Sequence, residues 1–270
     1  RWLIMTIAPD GTRYELTGPK SAPVVILIHG LGLNKDCWQW LTPDLVNSYR
    51  ILSYDLYGHG GSVVPTKQPS LSLFSKQLSS LLDHCDISQG VIVGFSLGGM
   101  IARRFAQDAP KRSLAMIILH SPHTRSEAAQ ASILARVDQA RIMGPQSTVE
   151  AALERWFTSG FMEANPNLMD KVRQWVIANS REVYHTIYSV LATGIDEIVK
   201  PNPALTLPSL VLTGEEDFGN GPEMADAIAV DIEGAKVLVF PGLRHMALVE
   251  APTVVNKPIL EFLDGLDLLD

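Results

Sequence analysis

The segment Val91-Ile92-Val93-Gly94-Phe95-Ser96-Leu97-Gly98-Gly99-Met100 sets a serine between an apolar run and a helical pattern that continues through Ile101, Ala102 and Phe105. Gly-x-Ser-x-Gly in that setting marks a nucleophile held at a sharp strand-to-helix turn. Strand and helix must come within backbone contact, so the residues two before and two after the serine have to be tiny. Gly94 and Gly98 meet that need. The helix opening at Leu97 turns its free amides and positive dipole end toward the serine oxygen. The chemistry this allows is acyl transfer through Ser96. Without the flanking strand and helix, the same five residues would be a chance loop.

A hydroxyl is a poor nucleophile, and its attack on a carbonyl creates an oxyanion that needs donors already in place. One donor is expected from the amide of Leu97. A second is expected from the loop His29-Gly30-Leu31-Gly32 after the apolar run 24–28, with the Leu31 amide as candidate. His29 itself reads as a structural residue holding that loop. Seven histidines compete for the base: His29, His59, His84, His120, His123, His185 and His245. Only His245, after the last apolar run, fits the chain order Ser, acid, His. The acid must accept a hydrogen bond from the imidazole and fix its tautomer. Glu215, Glu216 and Asp217 all follow the run 209–213, and spacing alone does not separate them, Asp217 standing first and Glu216 second. The other loop that could supply an acid, His120-Ser121-Pro122-His123-Thr124-Arg125, holds no carboxylate.

These groups need a scaffold that gathers strand ends. Continuous apolar runs at 24–28, 50–54, 91–95, 114–119, 209–213 and 236–240 read as buried parallel strands. A hairpin is expected from 2–7 and 12–17 around Asp10-Gly11. Helices are expected at 35–47, 72–85, 97–109, 221–231 and 251–263. The fold class is therefore α/β: a mostly parallel eight-stranded sheet with helices on both faces. From Ser121 to about Val199 no strand is legible, and helices alternate with Gly144-Pro145, Asn165-Pro166 and Asn179-Ser180. The expected organisation is a core of 1–120 and 200–270 with a helical cap, 121–199, inserted over the strand ends. Its aromatic residues, Trp156 foremost, are expected to roof a mainly apolar pocket, with His120 beside it.

The ordered motifs His29-Gly30-Leu31-Gly32, Asp55…Gly58-His59-Gly60-Gly61-Ser62, Gly94-Phe95-Ser96-Leu97-Gly98-Gly99, Gly214-Glu215-Glu216-Asp217 and His245…Glu250-Ala251-Pro252 resemble the α/β-hydrolase superfamily from about residue 20 onward. The family pattern Gly-x-x-Asp implies Asp217 as the acid. Within the superfamily, Glu154-Arg155-Trp156-Phe157-Thr158, the spacing to Asn165-Pro166 and a short four-helix cap are similar to the 3-oxoadipate enol-lactonases. The departures are the polar stretch with His120 and His123, and Arg244 directly before the base; these are expected to line or gate the pocket.

The resemblance implies hydrolysis of a carboxylic ester or lactone through an acyl-enzyme, with no metal or cofactor. C–C bond hydrolysis and perhydrolysis keep the same triad and stay open. Haloalkane dehalogenation needs a carboxylate where Ser96 stands and is disfavoured. A receptor for small molecules is the non-enzyme alternative on this fold. A net charge of −7 without a basic cluster argues against nucleic acid. No apolar run nears the roughly 20 residues that span a bilayer. Two cysteines, Cys37 and Cys85, read as free thiols. The opening residues lack the apolar stretch of a signal peptide, so the cytoplasm is the expected location.

Overall fold

The computed structural model describes residues 6–268, so residues 2–5 of the expected first strand lie outside the described residues. In chain order the elements are β1 (Thr6–Ile7), β2 (Arg13–Thr17), β3 (Val24–Ile28), α1 (Thr42–Leu45), β4 (Arg50–Tyr54), α2 (Leu71–His84), β5 (Gly90–Phe95), α3 (Leu97–Asp108) and β6 (Ser113–Leu119). The helices α4 (Glu127–Met143), α5 (Val149–Trp156), α6 (Ser159–Ala164), α7 (Pro166–Ile177) and α8 (Arg181–Thr193) follow. The chain closes with β7 (Ser209–Gly214), α9 (Pro222–Val230), β8 (Lys236–Phe240), α10 (Ala247–Glu250) and α11 (Pro252–Asp264).

One eight-stranded sheet runs in the order β1-β2-β4-β3-β5-β6-β7-β8. β1 and β2 pair antiparallel, as do β2 and β4; every other neighbour is parallel. The central runs are apolar without alternation because helices cover both faces: Val25 through Ile28 and Val91 through Val93 are fully buried. Each such side chain contributes about 1.5–3 kcal/mol relative to exposure. Register brings Ile28 beside Gly94, and Gly94 beside Ile118. Three loops therefore leave the carboxyl ends of β3, β5 and β6 side by side, which is where open α/β sheets bind ligands.

The expected helix at 35–47 is instead a 3-10 turn, Lys35–Trp38, followed by the four-residue α1. Pro43 stands in the first turn of α1, a position that starts a helix and cannot continue one from Leu41. Between β6 and β7 lie five helices, α4 to α8, one more than the resemblance implied. They reach back to the strand ends: Asn179 Nδ2 donates to Gly32 O at 3.0 Å, and a Cβ on Gly58 would meet Ile187 and Val183. Among the described residues no helix is long and apolar enough to cross a membrane.

Candidate active site

Ser96 stands between β5 and α3 with φ +54° and ψ −114°, a left-handed conformation that ordinary side chains avoid. Its amide donates to Leu119 O at 2.8 Å, and Ser121 Oγ donates to Ser96 O at 2.8 Å, so the end of β6 and the loop after it hold the bend on two sides. The Ser96 side chain does not cap α3, which leaves the hydroxyl to the cavity it lines. The glycines around it are sterically required. A Cβ on Gly94 would sit 2.2 Å from Gly98 O, and one on Gly98 would sit 2.1 Å from Ile28 O.

The loop after β3 is clamped by two imidazoles. His29 Nε2 accepts from the Leu56 amide at 2.9 Å while its Nδ1 meets Gly30 O at 2.8 Å. His59 Nε2 accepts from the Gly32 amide at 2.9 Å while its Nδ1 meets Tyr57 O at 3.2 Å. Each ring thus accepts at Nε2 and donates at Nδ1, which requires the neutral form. Burial pushes both below the ordinary 6.5, His29 to about 4 and His59, next to His29, to about 3. Leu31 lines the cavity beside Ser96. Its amide makes no hydrogen bond among the described residues. The Leu97 amide, first in its helix, has no intrahelical acceptor. Two donors are therefore free near the serine.

The loops after β7 and β8 pack backbone to backbone: a Cβ on Gly214 would lie 2.2 Å from Leu243 O, and the Glu216 amide donates to that same oxygen. This separates the three carboxylates. Glu215 accepts from the Gly242 amide, Glu216 is half-exposed 3.7 Å from Arg244, and Asp217 is buried against His245. His245 Nδ1 donates to Asp217 Oδ2 at 2.7 Å. The other oxygen, Oδ1, accepts from the Gly219 and Asn220 amides at 3.3 and 3.2 Å. Burial opposes charge on Asp217, but the neighbouring His245 and the hydrogen bonds from His120 and His245 outweigh it, holding the carboxyl below the usual range. No hydrogen bond joins Ser96 Oγ to His245 among the described residues; the two line one cavity, and such contacts commonly tighten only around substrate.

His120 is not where it was expected. It is fully buried and absent from the cavity wall; its Nδ1 donates to Asp217 Oδ2 at 2.9 Å, the atom His245 also uses. Its Nε2 is buried with no partner, which suits an unprotonated nitrogen, and burial lowers its basicity. The reason is local. His120 follows β6 at φ +50° with its amide on Leu212 O, which places it next to the turn after β7. His120, Asp217 and His245 are also a group whose ligand atoms all lie within 4.8 Å, the separation a metal would need. Both Nδ1–H groups are already directed to Oδ2, so the arrangement is a hydrogen-bonded pair of imidazoles on one carboxylate.

Arg244 does not line the cavity either. Its Nη1 donates to Glu154 O and Phe157 O at 2.8 and 2.9 Å, tying the end of α5 to the base loop. His123 points elsewhere, to Asp231. Trp156 does line the cavity, its ring centroid 6.2 Å from that of His245. The cavity, about 90 Å³, has Leu31, Leu33, Phe95, Ile133 and Leu191 in its wall. The wall is mainly apolar, as expected, but Arg125, Arg136 and Arg155 line it too. Sequence reading missed these three. Their one signal was position, within or at the edge of the helices inserted between β6 and β7, and cap arginines usually cover helix surfaces.

A family model of the alpha/beta hydrolase fold matches residues 23–252. The chain is 29% identical over 256 residues to 3-oxoadipate enol-lactonase 2 of Acinetobacter baylyi, covering 94% of each. It is 25% identical over 240 residues to (E)-2-((N-methylformamido)methylene)succinate hydrolase of the same organism, covering 89% of this chain and 90% of that one. Among solved structures, the enol-lactonase from Burkholderia xenovorans shares the fold with a TM-score of 0.85 at 23% identity, over 94% of this chain and 98% of that one.

Two outcomes follow from this geometry. Gly98→Ala forces a Cβ into the Ile28 carbonyl and is expected to cost about 3 kcal/mol, lowering Tm by several degrees. Gly160→Ala, where a Cβ meets nothing within 4 Å, should be neutral or gain up to about 1 kcal/mol; equal Tm values for the two variants would contradict the packing argument. The second outcome concerns acid. His29 and His59 stay neutral when folded but charge freely when unfolded, so the unfolded chain binds more protons below pH 6.5. Stability should therefore fall as pH drops from 6.5 toward 4, read as a falling urea midpoint.

Proposed function

We propose that this chain, which belongs to the alpha/beta hydrolase fold family, hydrolyses carboxylic esters or lactones through an acyl-enzyme on Ser96. The observation that carries the reading is convergence. A serine at a strained elbow and an imidazole oriented by a buried carboxylate, 2.7 Å apart at Nδ1 and Oδ2, line one cavity. A relative named for an enol-lactone supports that class of bond, and a second relative is named as the hydrolase of a succinate derivative.

The steps follow from the atoms. His245 Nε2 takes the Ser96 proton as Oγ bonds to the carbonyl carbon. The oxyanion that forms is met by the Leu31 and Leu97 amides, donors that need no reorganisation during the reaction. Collapse breaks the C–O bond, and His245 returns the proton to the leaving oxygen. In a lactone the leaving alcohol stays attached to the acyl chain. Water, deprotonated by His245, then attacks the acyl carbon and releases the acid and Ser96. Asp217 keeps Nδ1 protonated throughout, so Nε2 stays available as acceptor. His120 acts through Asp217: it is a positioning residue that pins Oδ2 from the far side. Trp156, beside His245, shapes the acyl site.

Ser96→Ala should lower kcat by about 10⁶-fold while leaving Tm unchanged, and an organophosphate should label the Ser96 peptide. Label on another serine would sink the assignment. The kcat/KM profile should rise with pH, because the base must be neutral to accept the Ser96 proton. In His120→Leu one donor to Oδ2 is gone, leaving more charge facing His245, so the acid limb should move to higher pH. His120→Asn, which can still donate, should restore the limb in part. A His120→Leu profile superimposable on wild type would show His120 to be filler only.

A further inference from the structure

Three guanidiniums surround the catalytic cavity without a carboxylate to answer them. Arg125, Arg136 and Arg155 line it together with Ser96 and His245. The same three also line a wider outer groove with Ser132, Phe218 and Glu223, so they stand on the passage between the two. Among the described residues none of them forms an ion pair, Glu223 included. Arg104, Arg112, Arg141 and Arg173, at the surface, each pair with an acid. The one carboxylate in the inner wall, Asp217, is committed to two imidazoles.

Two of the three are held by hydrogen bonds. Arg125 donates from Nη1 and Nη2 to the carbonyls of Ala192 and Leu191 at 3.2 and 3.0 Å, at the end of α8. Arg136 donates from Nε to the Tyr188 hydroxyl and from Nη1 to Ser132 Oγ, both at 3.0 Å. Arg155 makes no hydrogen bond among the described residues, so its whole fork is open. Half-buried cations that repel one another cost stability unless an anion joins them. The electrostatics agree: burial first, then the charge of Arg136, lowers both Arg125, to about 10, and Arg155. The braced pair keeps most of its N–H donors unclaimed. One carboxylate offers about four lone-pair sites and is matched by a single fork.

We propose that Arg125, Arg136 and Arg155 form a recognition subsite for two carboxylates on the substrate, apart from the carbonyl that reacts. This deepens the hydrolase reading and rests on it for the word substrate; the subsite itself is a matter of binding. Arg155 supplies a bidentate fork for one carboxylate, and the free edges of Arg125 and Arg136 take the second. Neutral esters would leave three desolvated cations unanswered and should bind poorly.

The test is equilibrium binding to the full-length Ser96→Ala chain, using one skeleton at three charges: glutarate, its monomethyl ester and its dimethyl ester. Calorimetric titration at fixed low ionic strength should show affinity rising at least about tenfold with each negative charge, and glutarate binding should weaken as salt is raised. Adding Arg155→Gln should reduce glutarate affinity by about 10- to 100-fold while Tm without ligand holds or rises, since an unpaired cation has been removed. Equal affinity for the three ligands would overturn the proposal. So would glutarate binding indifferent to both Arg155→Gln and Arg136→Gln. A fall in ligand-free Tm in Arg155→Gln would count the side chain as structural and overturn it as well. Turnover of mono(4-nitrophenyl) glutarate by the Ser96 chain, an activated ester that keeps one carboxylate, is scored separately: glutarate binding without ester turnover sinks the hydrolase reading and leaves the subsite standing, and the reverse result does the opposite.

Discussion

Main chain lies directly on main chain where β5 turns into α3, and the geometry of the site grows from that contact. With hydrogen at position 98 the helix can rest on the Ile28 carbonyl; with hydrogen at 94 the strand can pass beneath the Gly98 carbonyl. The bend this forces puts Ser96 in the left-handed region and makes it the first point past the sheet edge. Strain of that kind persists only where surroundings over-determine it. Here the end of β6 does so through the Leu119 carbonyl, and the loop after it through the Ser121 hydroxyl. The same approach brings the loop after β3 within reach of the serine, since Ile28 and Gly94 share a register.

Much of this was legible because its causes are local. A continuous apolar run can only be a buried strand when helical patterns flank it, and Gly94 and Gly98 have no other evident reason to bracket a serine. His245 was expected beside the acid from chain order, and the structure places it 2.7 Å from Asp217. The choice among Glu215, Glu216 and Asp217 was not local: it depends on where the loop after β8 lies, and Gly214 packing on Leu243 decides it. His120 was misplaced for a related reason. Its left-handed backbone sends it toward the turn after β7, and nothing within a few residues of it signals φ +50°. The arginines escaped notice because a charged residue in a helical insertion reads as solvated. Whether it turns inward depends on the helices opposite, α5 and α8 for Arg136, and that information is tertiary.

The electrostatics divide the site into two regimes. Behind the serine three titratable groups are matched: His29 and His59 are fixed neutral by amides at Nε2, and Asp217 is fixed anionic by two imidazoles and two amides. Matching of this kind holds orientation. In front of the serine the opposite holds, with cations braced by carbonyls and hydroxyls but left without anions. The boundary between the two regimes runs through the cavity itself.

The seam between α5 and the base loop bears on how such a molecule can be rebuilt. Arg244 grips the carbonyls of Glu154 and Phe157, the Met246 amide donates to the Trp156 carbonyl at 2.9 Å, and Glu250 accepts from both the amide and the hydroxyl of Thr158. Five hydrogen bonds thus join the roof to the segment carrying the imidazole. A graft of residues 121–199 from a relative keeps them only where its backbone at 154–158 sits in the same place against the loop carrying His245. The portable cassette is discontinuous: it comprises the inserted helices together with residues 243–250, and a chimera that moves one part without the other inherits a misaligned His245.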